Sequence, residues 1–413
     1  MSINSKELLR RLVQIPSVNP DFAAQGGPAH GEGNLTDFLQ NFVENQGWPW
    51  LRQEVYPGRD NLVALVSVSP PEENLPVTLW EVHQDTVGTA GMTIDPFAAH
   101  EQEGKIFGRG ACDIKGGMAA MLSALSRAQT SPQRNLGTIL LGLTINEECG
   151  FSGAKAMCRL WDPSMQMAEM AEKIRGPLSL ETLQKLRPQQ AIVAEPTELN
   201  VVSTHKGILR WRCHTHGRAV HSSQPDLGNN AVTRMAEVIA AISDYDESVL
   251  RQRTVDPLCG RPTCCVTTIQ GGSGSNTVPD HAVIDIDRRL LPKEVPADAY
   301  QEIISTIASR VSGEENAIEH ESPWNESLGL LNDNNQHWAE RFAAVVRKCT
   351  NAGKIIGVPY GTNAWVFGAS GIPTIVFGPG SIEQAHTEDE WLDVEQLETA
   401  TEVLYQLAVK CVD

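Results

Sequence analysis

Long apolar runs are missing from this 413-residue sequence, and none approaches the length that spans a bilayer. Basic residues are also in short supply: 33 Lys and Arg stand against 51 Asp and Glu, a formal net charge of −18. That balance argues against a nucleic-acid backbone or an anionic membrane surface as partner. The nine cysteines form no CxxC pair and no even framework, so they read as reduced thiols of a cytoplasmic protein. No GxSxG elbow is present, which disfavours a serine hydrolase. The opening stretch, Ile3-Asn4-Ser5-Lys6-Glu7-Leu8-Leu9, reads as a capped amphipathic helix rather than a signal peptide.

What the chain does have is a scattered set of His and carboxylates, most of them just past short apolar runs. His83 follows Val77-Thr78-Leu79-Trp80, Glu148 follows Thr138–Leu143, and Glu195 follows Ala191-Ile192-Val193. His386 lies beyond Pro373–Phe377, and Asp113 precedes a helical stretch. In an open α/β sheet, ligands collect outside the carboxyl ends of the strands. Side chains dispersed over three hundred positions are therefore expected to converge on a metal.

The length favours two or three domains. Helical periodicity covers Lys6–Gln14 and Leu35–Gln46, and strand-like runs follow at 61–68 and Val77–Val82. Met118, Met121, Leu122 and Leu125 share one face of the helix after Asp113, with Gly116 and Gly117 allowing close approach at its start. Continuous apolar strands alternating with helices predict an α/β domain with a mostly parallel mixed sheet flanked by helices. From Lys206 the character changes. Alternation over Ile208–His216, then a helix, two strands, a helix and a last strand near Ala317–Glu321, spell β-α-β-β-α-β, a ferredoxin-like unit. The expected plan is a catalytic domain at 1–204 and 323–413, interrupted by an inserted lid or dimerisation domain at 205–322. The segment from Cys158 to Pro188 looks helical in pieces and receives no function.

His83-Gln84-Asp85 can bind zinc through one imidazole nitrogen while a carboxylate holds the other N–H; taken alone, such a motif is more often a polar loop. Gly108–Gly117 fails the GxGxxG spacing and carries Asp113 where an anion would be repelled, so a carboxylate bridging two cations suits it better. Glu147 and Glu148, adjacent at a strand end, repel one another unless one neutralises a cation while the other handles protons.

Together these segments resemble the dinuclear zinc amidohydrolases that include acetylornithine deacetylase, succinyl-diaminopimelate desuccinylase, aminoacylase and the glutamate-releasing carboxypeptidases. The likeness rests on HxDT (His83–Thr86), Asp95-Pro96-Phe97, GRGxxDxKGG (Gly108–Gly117), Asn146-Glu147-Glu148, Glu195-Pro196-Thr197 and HSSxP (His221–Pro225). The resemblance implies that His83 and Glu195 hold one zinc and Glu148 and His386 the other, with Asp113 bridging and cobalt able to substitute. It implies that Asp85 orients His83, that Glu147 is the general base, and that the peptide after Asp113 is cis. It also implies that His221 donates to the tetrahedral oxyanion, reaching the partner's site in a homodimer formed through the inserted domain. Asn276, Arg289 of the Asp287-Arg288-Arg289-Leu290-Leu291-Pro292 motif, and Thr362 are the expected substrate contacts. Arg289 would clamp an α-carboxylate, although a salt bridge with Asp287 on its own strand is the competing reading.

Three departures stand out. Trp80-Glu81-Val82 replaces the small glycine the family usually has just before the HxD module, no proline follows Asp85-Thr86-Val87, and Asn363 sits where the family often has an acid. The loop from Phe377 to Glu390 is most similar to acetylornithine deacetylases, so the expected substrate is an N-acyl amino acid. Desuccinylase, aminoacylase and dipeptidase or carboxypeptidase activities are the alternatives, and a catalytically inactive binding protein is the reading from another class.

Overall fold

The structure is a computed structural model, and it describes residues 4–25, 31–67, 75–131, 137–162, 172–311 and 317–409. Residues 163–171 of the segment without assigned function, and Cys411, lie outside the described residues. The chain divides into two compact units: 1–203 with 332–356 and 362–413, and 204–331 with 357–361.

The first unit is built on a mixed sheet. At its centre the strands Thr374–Val376, Gln190–Val193, Thr78–His83 and Ile139–Thr144 lie side by side and parallel. Thr78–His83 and Ile139–Thr144 are buried along their whole length, which is why they read as unbroken apolar runs. Beyond them the sheet turns antiparallel, through Arg59–Ser67 and Trp50–Tyr56. Ile174–Arg175 pairs with Trp50–Tyr56, so part of the otherwise unassigned segment lengthens this edge of the sheet.

The helix Ser5–Val13 starts at Asn4, whose side chain accepts the Glu7 N–H, and buries Leu8, Leu9, Leu12 and Val13. The helix Gly116–Gln129 is buried on nearly every face and packs against the helix Val394–Val409. Gly116 lets the start of this helix approach the strand Trp391–Asp393: a Cβ there would lie 2.3 Å from Leu392 and 2.7 Å from the Ala111 carbonyl. Among the described residues no helix is long and apolar enough to cross a membrane.

The second unit has its own apolar core, centred on Trp211, Met235, Ile242, Tyr245, Ile284 and Ile303. Strands Gly207–His216, Thr263–Gly271, His281–Leu290 and Ile318–His320 form an antiparallel sheet, in which the first strand lies between the third and the fourth. Helices Ala231–Ser248 and Pro296–Arg310 supply the other half of that core. This is the ferredoxin-like order that the pattern predicts. The unit runs past residue 322 because Asn325–Ser327 pairs with Ile208–Arg210 on the same sheet.

Candidate metal centre

His83 ends the strand Thr78–His83, and its Nε2 lies 3.2 Å from Asp113 Oδ1. His386 reaches the other oxygen of the same carboxylate, with Nε2 at 3.3 Å from Asp113 Oδ2 and 3.2 Å from Glu148 Oε2. Two sets of donors result: His83, Asp113 and Glu195, and Asp113, Glu148 and His386, the donor atoms of each lying within 4.8 Å of one another. Asp113 belongs to both. The first set is buried, whereas the second opens to solvent at His386, whose side chain is 50% exposed.

Local backbone choices place these groups. The Asp113–Ile114 peptide is cis. His386 and Asn146 both adopt left-handed backbone, with φ of 65° and 59°, a region where His and Asn are enriched. Gly378 follows the strand parallel to Gln190–Val193, and a Cβ there would stand 2.5 Å from the Glu195 carbonyl. Only a glycine permits that approach.

Several fixing groups have no counterpart in the sequence reading. The buried Glu390 carboxylate accepts the N–H groups of Gly110, Cys112 and Asp113 at 2.9–3.0 Å and pairs with Arg109 at 2.7 Å. It therefore holds the turn that presents Asp113. Asn19 donates to Asp85 Oδ2 and to Asn146 Oδ1, at 2.7 and 2.9 Å. Arg59 and Glu32 form a two-pronged ion pair, and Glu32 also accepts the Asn146 N–H. Glu390 lies four residues past His386, inside the loop that carries the family likeness. Asn19 and Glu32 sit in no motif.

Asp85 meets His83 with both its backbone and its side chain. His83 Nδ1 lies 2.9 Å from the Asp85 backbone carbonyl but 3.5 Å from its carboxylate. The carboxylate accepts the backbone N–H groups of Glu147 and Glu148, at 3.0 and 3.2 Å, as well as the Asn19 amide. It thus anchors the acidic pair to the same strand end as His83.

Two of the departing residues, Glu81 and Asn363, prove to be partners. Asn363 Nδ2 donates to Glu81 Oε1 at 2.9 Å, and Thr144 Oγ1 donates to the same oxygen at 2.5 Å. Burial pushes the Glu81 carboxyl up to about 7, against both hydrogen bonds and the nearby His83. Asn363→Ala is expected to cost about 1–3 kcal/mol, because it leaves a buried carboxyl short of a donor. Chemical denaturation would measure this, and the loss should shrink in a Glu81→Ala background; an equal loss in both backgrounds would show the pair uncoupled.

Electrostatics set Glu147 apart from Glu148. Burial raises the carboxyls of Glu147, Glu148 and Glu195, and repulsion from Asp113 adds to each. His386 rises to about 11 against the cost of burial, through Glu148 and Asp113. Asp113 is held well below the usual carboxylate range: burial opposes this, but hydrogen bonds from His386 and His83 outweigh it. Glu148 is engaged with His386, whereas the Glu147 carboxylate makes no hydrogen bond or ion pair among the described residues. Five carboxylates, including Asp85, thus crowd two imidazoles. Imidazole nitrogen and carboxylate oxygen in two sets of three suit borderline dications such as zinc and leave each a coordination position for water or substrate.

Thr362 is fully buried, and its hydroxyl accepts the Ala364 N–H at the start of a short helix. In the second unit His221 and Asn276 are brought together: His221 bridges to Thr277, and Ser222 N–H donates to the Asn276 carbonyl. His221 is exposed, with Nδ1 2.8 Å from Ser223 Oγ. Arg289 makes the competing salt bridge, with Nε and Nη2 at 2.7 and 3.2 Å from Asp287, which Arg210 also contacts.

Residues 79–410 match the profile described as Peptidase family M20/M25/M40. The chain is 30% identical over 409 residues to an acetylornithine deacetylase of Proteus mirabilis, covering 97% of this chain and 95% of that one. Among solved structures it is similar to a tripeptidase of Staphylococcus aureus, with a TM-score of 0.74 at 20% identity, covering 99% of both chains. It is also similar to a dinuclear metal-binding M20 peptidase of Bacillus subtilis, with a TM-score of 0.64 at 15% identity, covering 99% of this chain and 97% of that one.

Proposed function

This chain belongs to peptidase family M20/M25/M40, and from that membership we propose that it is an acetylornithine deacetylase-like hydrolase of N-acyl amino acids. The observation that carries the reading is Asp113, shared by two donor sets beside Glu147, whose carboxylate makes no hydrogen bond or ion pair among the described residues. We assign His83, Asp113 and Glu195 to one cation and Asp113, Glu148 and His386 to the other. Two zinc ions, or cobalt in their place, would polarise the scissile carbonyl and make water acidic enough to attack at neutral pH.

The residues then divide the work. Glu147 takes the proton from the attacking water and returns it to the departing amine. Asp85 and Glu390 hold the backbone that aims Glu147, Glu148 and Asp113. His221, with Asn276 beside it, supplies a donor to the oxyanion of the tetrahedral intermediate. Arg289 contacts the substrate's α-carboxylate through Nη1, its Nε and Nη2 being engaged by Asp287. We further propose a homodimer through the inserted unit, and a cytoplasmic setting, in which thiols stay reduced.

Nα-acetylornithine, other N-acetyl amino acids, N-succinyl amino acids and dipeptides should be offered to the metal-loaded protein, with and without chelator. The expected result is chelator-sensitive release of acetate from substrates bearing a free α-carboxylate, acetylornithine foremost. In Arg289→Ala, loss of a charged partner should weaken transition-state binding by about 2–5 kcal/mol. Faster turnover of dipeptides would place the chain among the peptidases. Equal use of α-amidated substrates by the wild type would remove Arg289 from its role.

A further inference from the structure

The open face of the second unit's sheet carries a group of side chains that the hydrolysis does not use. His214 and His216 point to the same side of Gly207–His216, two residues apart, and His281 sits directly across from His216 on the neighbouring strand. The ring centres are 5.3 Å apart for His214 and His281, 5.5 Å for His216 and His281, and 6.3 Å for His214 and His216. With metal–nitrogen distances of about 2.0–2.1 Å and tetrahedral angles, imidazole rings on one zinc have centres roughly 5 Å apart. The two pairs that include His281 already stand near that spacing, and His214 and His216 lie farther apart.

The outer nitrogens are also occupied in a telling way. His214 Nε2 lies 2.8 Å from Glu321 Oε1, and His216 Nε2 lies 2.9 Å from Glu319 Oε2. A carboxylate on one ring nitrogen fixes the tautomer and leaves the other nitrogen as a lone-pair donor, the arrangement around metal-bound histidines. On His214 that other nitrogen, Nδ1, faces His281 Nε2 at 3.0 Å. Two imidazole nitrogens in such contact must share a proton or a cation.

We propose that His214, His216 and His281 form a third metal site, separate from the hydrolytic pair and specific for borderline dications such as Zn²⁺, Cu²⁺ or Ni²⁺. Glu319 and Glu321 position its ligands. Modest side-chain rotation turns His216 Nδ1 towards the facing nitrogens of His214 and His281, and the exposed face leaves the fourth position to water. A cation there ties together neighbouring strands of the sheet. The site requires nothing of the hydrolytic centre, so it holds whatever the substrate.

Equilibrium dialysis of the full-length protein against Zn²⁺, followed by elemental analysis, should find three equivalents in the wild type. A His214→Asn/His216→Asn/His281→Asn variant should hold two and keep the wild-type hydrolysis rate. Cu²⁺ added to the zinc-loaded wild type should give an electron paramagnetic resonance spectrum with splitting from several nitrogens, and this should be absent in the triple variant. Glu319→Gln/Glu321→Gln leaves the ligands in place and should lower the affinity of the third site about 10–100-fold. Two equivalents in the wild type, or a third equivalent that survives the triple substitution, overturns the proposal.

Discussion

Asp113→Ala is expected to empty both catalytic metal positions in one step and to reduce hydrolysis to the level of the chelated enzyme. His83→Ala or His386→Ala removes a donor from one set only, but Asp113 gives one oxygen towards His83 and the other towards His386. Removing it leaves two donors at each position and takes away the anion that orders both imidazoles. Elemental analysis after gel filtration measures the outcome. The catalytic zinc content should fall from two equivalents towards none, whereas His386→Ala should fall towards one. Retention of one tightly bound equivalent in Asp113→Ala would mean that the carboxylate is not shared.

Glu147→Gln should leave both catalytic metals bound and lower kcat by roughly 10²–10⁴-fold, the usual contribution of a positioned acid–base group. The amide keeps the shape of the side chain but cannot accept the proton. Its neighbour supplies the contrast: Glu148→Gln weakens a donor already engaged with His386, so metal content should fall together with activity. Added zinc should rescue Glu148→Gln in part and Glu147→Gln not at all. Equal metal loss in both variants would show that the roles of the pair are exchanged or that both are ligands.

Much of the molecule was legible in the sequence because burial on both faces leaves a simple trace. Thr78–His83 and Ile139–Thr144 are buried throughout, so they appear as continuous apolar runs, and the ligands mark their ends. The inserted unit was equally readable, since Gly207–His216 alternates buried and exposed residues as a sheet covered on one side must. Trp50–Tyr56 escaped notice because its interior holds Arg52 and Gln53, both buried. Arg52 pairs with Asp37, and Gln53 donates to the Ala156 carbonyl and accepts from Asn61. Polar residues satisfied across a fold carry no period. The same physics hid Asn19, Glu32 and Glu390, whose meaning depends on partners far along the chain. Glu81 and Asn363 were visible only as irregularities, and their compensation needed a contact across 282 residues.

Glu390 also bears on the order in which the enzyme becomes competent during synthesis. Chains fold from the N-terminus as they emerge, and the second unit has a contiguous core that can close once residue 331 is made. The hydrolytic site has no such independence. His83 and Asp113 leave the ribosome early, yet His386 and the carboxylate that grips the Asp113 turn arrive about three hundred residues later. Until then the turn lacks its clamp and the second donor set lacks its imidazole. A nascent chain can therefore shape its inserted unit long before both donor sets are complete.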